Sequence, residues 1–146
     1  MIKHFEGDLF TSESEAIGHG VNTWGIMGGG IAVEFRKRYP DMYEHYNHVC
    51  KNTDDADLVG KAYIWYDESG KVIANLFSQD KPGPNARYSW TMQAIKKTLD
   101  ELEAQGITSL AIPKIGSGIG GLKWADMYYY LVDEFNDHPV DLHLYI

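Results

Sequence analysis

Two stretches decide the fold: Gly28-Gly29-Gly30-Ile31-Ala32 and Gly116-Ser117-Gly118-Ile119-Gly120-Gly121. Each follows a run of strand-forming residues and leads into a segment with the periodicity of a helix. Glycine lets a backbone approach a ligand closely, and the N–H groups at a helix N-terminus bind phosphate oxygens. Neither stretch carries the lysine of a Walker loop. The pair therefore predicts a diphosphate that is held from two sides by main-chain amides.

Strand and helix patterns alternate outward from these stretches. Strand formers and alternating apolar residues predict strands at residues 2–6, 16–21, 62–66, 72–77, 110–112 and 140–144. Apolar residues at helical spacing, with Pro40 and Gly106 as start and stop signals, predict helices at about 30–38, from 40 onward, at about 86–105 and at 124–135. The polar run at residues 51–57 predicts a surface loop.

One pair of predicted strands flanks Asp67-Glu68-Ser69-Gly70, which is typical of a hairpin turn. These two strands run antiparallel, whereas strands that are joined through helices run parallel. We therefore expect an α/β fold with three layers, α/β/α, around a mixed, partly parallel sheet. Ligands of such sheets bind at the carboxyl ends of the strands, and both glycine stretches fall there.

Length and charge restrict the class of protein. The 146 residues suffice for one domain, residues 1–146, with a single core. A formal charge of −8 argues against a long nucleic acid as a standing partner. The sequence has no apolar run of membrane-spanning length and no apolar leader, so we expect no membrane partner. The single Cys50 cannot form an internal disulfide, which favours a reducing compartment. We expect a monomer in the cytoplasm.

The second glycine stretch also fits the dinucleotide fingerprint, because Gly116, Gly118 and Gly121 stand in the order Gly-x-Gly-x-x-Gly. Only 25 residues follow Gly121, so the further strands of a dinucleotide-binding half are missing. The plain alternative is that these glycines serve only tight turns. The other glycine stretch favours the phosphate-binding interpretation.

These motifs, in this order, resemble the macrodomain family, the ADP-ribose-binding fold, over nearly the whole chain. Besides the glycine stretches, the resemblance rests on Gly7-Asp8-Leu9-Phe10, His19-Gly20-Val21-Asn22, Asn75-Leu76-Phe77 and Ile112-Pro113. Residues 27–40 and 122–124 are most similar to one branch of the family. That branch contains ADP-ribose-1″-phosphate phosphatases, the terminal ADP-ribose protein glycohydrolase and antitoxins that remove ADP-ribose from DNA.

The resemblance implies ligand-binding roles. Asp8 would accept a hydrogen bond from the adenine amino group, Tyr145 would lie against the adenine, and Asn22 would hold the distal ribose. A turn aspartate, a tyrosine in edge packing and a turn asparagine are the plain alternatives. The other ligand-binding residues implied are Leu9, Gly29, Gly30, Ile31, Ala32, Ser117, Gly118, Ile119, Gly120 and Gly121.

The resemblance also implies catalytic roles. His19 matches a histidine proposed as catalytic in the phosphatases, where it would activate or orient a water while Asn22 fixes the sugar. The alternative is a structural histidine, or one that contacts the ribose. Gln79 stands where glycohydrolase and antitoxin members have a lysine, and Gly120 where the protein glycohydrolase has an aspartate. A glutamine amide is not nucleophilic, so it cannot form a covalent lysyl intermediate.

The expected function is hydrolysis of ADP-ribose derivatives, first of the ADP-ribose-1″-phosphate phosphatase type. This reaction needs no metal or other cofactor. One alternative is removal of ADP-ribose from protein or nucleic acid by a water-based mechanism. The other is a reader that binds ADP-ribose without catalysis.

Overall fold

The computed structural model describes every residue from Met1 to Ile146. The strands are β1 (Ile2–Phe5), β2 (Ala16–Val21), β3 (Ala62–Tyr66), β4 (Val72–Phe77), β5 (Ser109–Ile112) and β6 (Asp141–Tyr145). The helices are α1 (Ile31–Arg38), α2 (Pro40–Lys51), α3 (Asp55–Leu58), α4 (Tyr88–Ala104) and α5 (Trp124–Phe135), and a 3₁₀ turn spans Leu9–Thr11. No helix combines the length and the apolar character that crossing a bilayer requires.

All six strands form one sheet in the order β1-β6-β5-β2-β4-β3. Strands β3 and β4 pair antiparallel across the turn at residues 67–70, as the hairpin signal predicts. Every other pair in the sheet is parallel. The predicted α/β fold with a mixed, partly parallel sheet is confirmed.

Helices cover both faces of the sheet because its central strands are apolar on both sides. All six residues of β4 are buried, and the five apolar ones alternate between two core clusters. Ala74 and Leu76 belong to the cluster that includes residues of α4 and α5, whereas Ile73 and Phe77 belong to the cluster that includes residues of α1 and α2. This alternation produces the three layers.

The parallel strands direct their following loops to one edge of the sheet. The first glycine stretch lies between β2 and α1, and Gly30 is the N-cap residue of α1. The second stretch follows β5, but it does not lead directly into a helix as the pattern predicts. Leu122 and Lys123 intervene, and α5 begins at Trp124.

The polar run at residues 51–57 is not the single surface loop that its composition predicts. Helix α2 continues to Lys51, and α3 begins at Asp55 after the N-cap residue Asp54. Leu58 is buried in the core cluster beside α2, which fixes this short helix in place. Ala56 is the only apolar residue of the run, and together with Leu58 just after it the periodic signal is too weak to predict a helix.

Candidate functional site

A cavity of about 820 Å³ opens at the carboxyl ends of β2, β4 and β5. This volume lies in the range of small-molecule and cofactor sites. The predicted site residues that line it are Asn22, Gly29, Gly30, Ile31, Ala32, Ser117, Gly118, Ile119 and Gly120. Lys114 is the only ionisable side chain of the lining, so the cavity contains no carboxylate, imidazole or thiol.

The first glycine loop presents a row of free main-chain donors. The N–H groups of residues 28–32 donate to no acceptor within the chain. Gly30 has a φ of 59°, a conformation that glycine adopts without strain, and it directs the chain into α1. Because the N-terminus of a helix carries a partial positive charge, this row of N–H groups favours an anion.

The second glycine loop presents a shorter row. The N–H groups of Gly118, Ile119 and Gly120 have no acceptor, whereas that of Ser117 donates to the carbonyl of Lys114 at 3.2 Å. Gly121 does not line the cavity, which differs from its predicted role. Its N–H donates to the carbonyl of Gly118 at 3.3 Å, and its φ of 84° makes it a turn residue.

The two glycine loops contact each other beside the cavity. A Cβ at Gly29 would lie 2.8 Å from Cδ1 of Ile119, and a Cβ at Gly30 would lie 3.4 Å from the same atom. Ile119 is nevertheless 57% exposed. Because Gly29 has no side chain, Ile119 of the second loop can pack against the backbone of the first loop.

Asn22 lines the cavity and fixes the loop that follows β2. Its Oδ1 accepts from the N–H groups of Trp24 (3.1 Å) and Ile26 (3.3 Å), and its Nδ2 donates to the carbonyl of Ile26 at 2.9 Å. Tyr46 donates from its hydroxyl to the carbonyl of Asn22 at 2.6 Å. Oδ1 of Asn22 is thus engaged by the loop, whereas Nδ2 has one proton left without an acceptor in the chain, so Asn22 shapes this loop and keeps one free donor.

His19 lies outside the cavity, in the core between the sheet and α1. Its ring is fully buried and stacks on Phe35 at a centroid distance of 3.8 Å. The Nδ2 of Asn75 donates to the carbonyl of Tyr63, so its Oδ1 faces His19 and accepts from Nε2 at 2.8 Å. Burial lowers the pKa of His19 to about 4, against the opposing effect of the Asn75 hydrogen bond. This position corrects the expectation that His19 activates a water in the cavity.

Comparison with known proteins agrees with this geometry. The family model described as "Macro domain" matches residues 19–130. The chain belongs to the macrodomain family. A Mycobacterium tuberculosis protein named DNA ADP-ribosyl glycohydrolase is 31% identical over 99% of this chain, which spans only 42% of that protein. A Candida albicans protein named ADP-ribose 1″-phosphate phosphatase is 34% identical over 94% of this chain and 96% of its own length.

Solved structures give the same result for the fold of this macrodomain. The macrodomain of Mycobacterium tuberculosis DarG superposes with a TM-score of 0.85 and 30% identity, covering 99% of this chain and 97% of that one. The macrodomain of Thermus aquaticus DarG has a TM-score of 0.86 at 23% identity, over 100% of this chain and 98% of that one, which shows the fold.

The residues that the resemblance assigns to adenine do not line the cavity of this macrodomain. Oδ1 of Asp8 accepts from the N–H of Phe10 at 2.9 Å and caps the 3₁₀ turn, in which Leu9 is buried. The ring of Tyr145 stacks on Phe5 at 5.1 Å. All five residues lie at the carboxyl ends of the neighbouring strands β1 and β6 or just beyond them.

The sequence-based set of site residues leaves out part of the lining of the macrodomain cavity, although the resemblance marks Gln79 as the position of a lysine in other members. Ser78 and Gln79 follow β4 directly, and Lys114 follows β5. Ile26 lies in the loop after β2, and Trp124 is the first residue of α5. A signal was available for three of these residues, because they stand immediately beyond the carboxyl ends of parallel strands, where ligands of such sheets bind.

Proposed function

We propose that this macrodomain binds ADP-ribose derivatives and hydrolyses the bond between the distal ribose and its 1″ substituent. The observation that carries the proposal is the two rows of unpartnered main-chain N–H groups, at residues 28–32 and 118–120, on loops that border one cavity. A chain with a net charge of −8 repels anions at long range. The attraction for a diphosphate therefore has to come from local groups: the amide dipoles, the N-terminus of α1 and the side chain of Lys114.

The strand order supports one orientation of the ligand. With the diphosphate between the loops after β2 and β5, adenine lies toward β6 and β1, and the distal ribose lies toward β2 and β4. Asp8 and Tyr145 stand on the adenine side, and Oδ2 of Asp8 remains free to accept from an amino group. Asn22 stands on the ribose side, where the loop that it fixes borders the sugar.

The proton transfer in the proposed reaction involves the substrate itself. The lining contains no carboxylate or imidazole that could act as a general base. A water attacks the 1″ carbon, the bond from that carbon to the substituent oxygen breaks, and the leaving group keeps the electron pair. The proton that the water loses passes to a phosphate oxygen of the substrate. This route needs neither His19 nor a metal or other cofactor.

We place ADP-ribose-1″-phosphate first among the substrates. The support is the Candida albicans phosphatase relative, which this chain matches over nearly the full length of both proteins. The second candidate is removal of ADP-ribose from protein or nucleic acid, supported by the Mycobacterium tuberculosis relative. Gln79 disfavours a covalent lysyl route for that second reaction because its amide is not a nucleophile.

Binding is tested by removing one N–H group from the first loop. Ile31 is the first residue of α1, a position that tolerates proline, and Ile31→Pro deletes its donor. Ile31→Ala removes the same side chain and keeps the donor. We expect Ile31→Pro to bind ADP-ribose about 10- to 100-fold more weakly than Ile31→Ala in calorimetric titrations, the effect of one hydrogen bond to a charged group. Equal affinities of the two variants would remove the basis of the proposal.

The reaction is tested with ADP-ribose-1″-phosphate in water enriched in ¹⁸O. We expect the released phosphate to carry no label, because the attack occurs at carbon. Label in the phosphate would instead indicate attack at phosphorus. An ADP-ribosylated oligonucleotide and an ADP-ribosylated peptide test the second candidate. Tight binding of ADP-ribose without turnover of any of the three substrates would leave only the reader.

We further propose that residues 1–146 act as a single macrodomain, as a monomer in the cytoplasm. The support for one domain is the single six-stranded sheet that runs from β1 to β6. The support for a reducing compartment is Cys50, which is a free, buried thiol. Size-exclusion chromatography with light scattering tests the monomer.

A further inference from the structure

Gln79 is held in one orientation at the wall of the cavity. Its side-chain Nε2 donates to the carbonyls of Lys81 at 2.7 Å and Gly83 at 2.9 Å. Because both partners are carbonyl oxygens, the nitrogen must face them, and the amide cannot be rotated by half a turn without losing both bonds. The residue is only 8% exposed, so its packing also restricts the side chain.

The opposite atom of this amide has no partner. Gln79 Oε1 accepts no hydrogen bond within the chain. Nδ1 of His19 is the only fully buried side-chain polar atom without a partner, so Gln79 Oε1, which also lacks one, must be reachable from solvent. Gln79 lines the cavity together with its neighbour Ser78, which is 1% exposed and whose Oγ also lacks a partner. A polar side chain that is more than nine-tenths buried therefore presents a fixed acceptor to the cavity.

The place of Gln79 in the sheet decides which part of a ligand it meets. Strand β4 lies beyond β2 in the strand order, on the side away from β6 and β1. The loop after β4 is tied to the loop after β2, because Thr23 donates from its N–H and its Oγ1 to the carbonyl of Asp80 at 3.0 and 3.1 Å. Gln79 thus stands on the same side of the cavity as Asn22, past the two rows of N–H groups.

We propose that Gln79 is a specificity-determining residue whose Oε1 accepts a hydrogen bond from a hydroxyl of the distal ribose. This inference rests on the proposed binding of ADP-ribose and names the contact that distinguishes the sugar from a bare terminal phosphate. Since both protons of its amide are engaged by Lys81 and Gly83, Gln79 presents only an acceptor. An acceptor attracts hydroxyl donors and repels the oxygens of a terminal phosphate.

The test compares ADP-ribose with ADP, which lacks the distal ribose, in calorimetric titrations of native protein and variants. Gln79→Met keeps the approximate length of the side chain and removes the acceptor. This change should lower the affinity for ADP-ribose by about tenfold and alter the affinity for ADP by less than twofold. The matched control is Asn85→Ala. Its Nδ2 donates to the carbonyl of Pro82 at 2.9 Å, so this change loosens the same loop without removing a cavity acceptor. The control should weaken both ligands equally or neither.

The outcomes separate this inference from the proposed function. Native protein that fails to bind ADP-ribose overturns both. If the native protein binds ADP-ribose but Gln79→Met loses affinity equally for ADP-ribose and for ADP, only the role of Gln79 is overturned. A second measurement needs no variant: the side-chain amide resonance of Gln79 in native protein should shift with ADP-ribose and not with ADP. An equal response to the two ligands would overturn the contact even where Gln79→Met does not fold.

Discussion

The Nε2 atom of His19 donates to Oδ1 of Asn75 across 2.8 Å, in the fully buried layer between the sheet and α1. Nδ1 of the same ring is the only buried side-chain polar atom in the chain without a partner. The ring is therefore neutral, with its proton on Nε2. Protonation would place a charge in the core with no counter-charge, which is why burial lowers the pKa of His19 to about 4.

The first prediction is that His19 makes the protein sensitive to acid. The pKa of His19 in the folded state lies below the unfolded value near 6.5, so the unfolded chain takes up the proton first as the pH falls. The free energy of unfolding is therefore at its full value above pH 6.5 and decreases as the pH falls toward 4. By pH 5 the loss is about 2 kcal/mol of unfolding free energy. Urea unfolding of native protein and His19→Gln between pH 7 and pH 5 measures it, since glutamine keeps a donor for Asn75 and does not titrate.

The comparison must be made as a difference between the two proteins. Burial also lowers the pKa of His143, and this reduces the free energy of unfolding of the native protein and of His19→Gln alike as the pH falls. Asp67, Asp100 and Asp141 have lowered pKa values and act at more acidic pH. Identical pH profiles for native protein and His19→Gln would contradict the first prediction.

The second prediction concerns the packing of the second glycine loop. A Cβ at Gly120 would lie 2.7 Å from the carbonyl oxygen of Gly116 and 2.9 Å from Cβ of Ala86, and neither atom belongs to a flexible side chain. We expect Gly120→Ala to lower the unfolding free energy by about 1–3 kcal/mol. Gly118→Ala is the control, because its Cβ meets nothing within 4 Å, and it should stay within about 1 kcal/mol of native protein. Chemical denaturation without ligand measures both, and equal stabilities would refute the steric argument.

The sequence predicts the architecture well, for physical reasons. Strand and helix have different periods, so alternating patterns such as Val140, Leu142 and Leu144 are distinguishable from helical ones. The hairpin at residues 67–70 and the glycine loops are local signals, because the backbone itself needs those residue types. These features fixed the sheet edge at which the cavity opens.

The side chains of the site were harder to predict because their direction depends on packing. The resemblance implies a catalytic His19 and leaves a structural histidine as the alternative, and His19 shares a strand face with Ile17 and Val21, both buried in the cluster with α1 and α2. Side chains two residues apart in a strand point to the same face, so these neighbours already indicated a core position. No sequence pattern shows that the Gln79 amide bonds to Lys81 and Gly83, because those bonds depend on the path of the loop.

The third prediction concerns the loop after β2. The Tyr46 hydroxyl donates to the carbonyl of Asn22 at 2.6 Å, and the only other donor near that carbonyl is Sγ of Cys50 at 4.0 Å. Tyr46→Phe leaves it unpaired and should cost about 1–2 kcal/mol. It should also speed hydrogen exchange at the N–H groups of Trp24 and Ile26, which depend on Asn22.

Tyr43→Phe is the matched control for this loop. The Tyr43 hydroxyl donates to the carbonyl of Gly25 at 3.2 Å, and that carbonyl also accepts from Nδ2 of Asn47 at 3.0 Å. One donor remains after the change, so the loss of stability should be smaller than in Tyr46→Phe. Equal losses and equal exchange rates in the two variants would show that Tyr46 does not hold the loop.

The fourth prediction concerns the contact between the two glycine loops. Alanine at Gly29 would place its Cβ 2.8 Å from Cδ1 of Ile119, so Ile119 must move and the second loop must shift with it. We expect Gly29→Ala to lower the affinity for ADP-ribose by about tenfold, because the two rows of N–H groups then no longer fit one diphosphate. In an Ile119→Ala background the same change should cost markedly less, with a coupling of about 0.5–1.5 kcal/mol. Calorimetric titration of the native protein, the two single variants and the double variant completes a double-mutant cycle. Additive losses of affinity would show that Gly29 acts independently of Ile119.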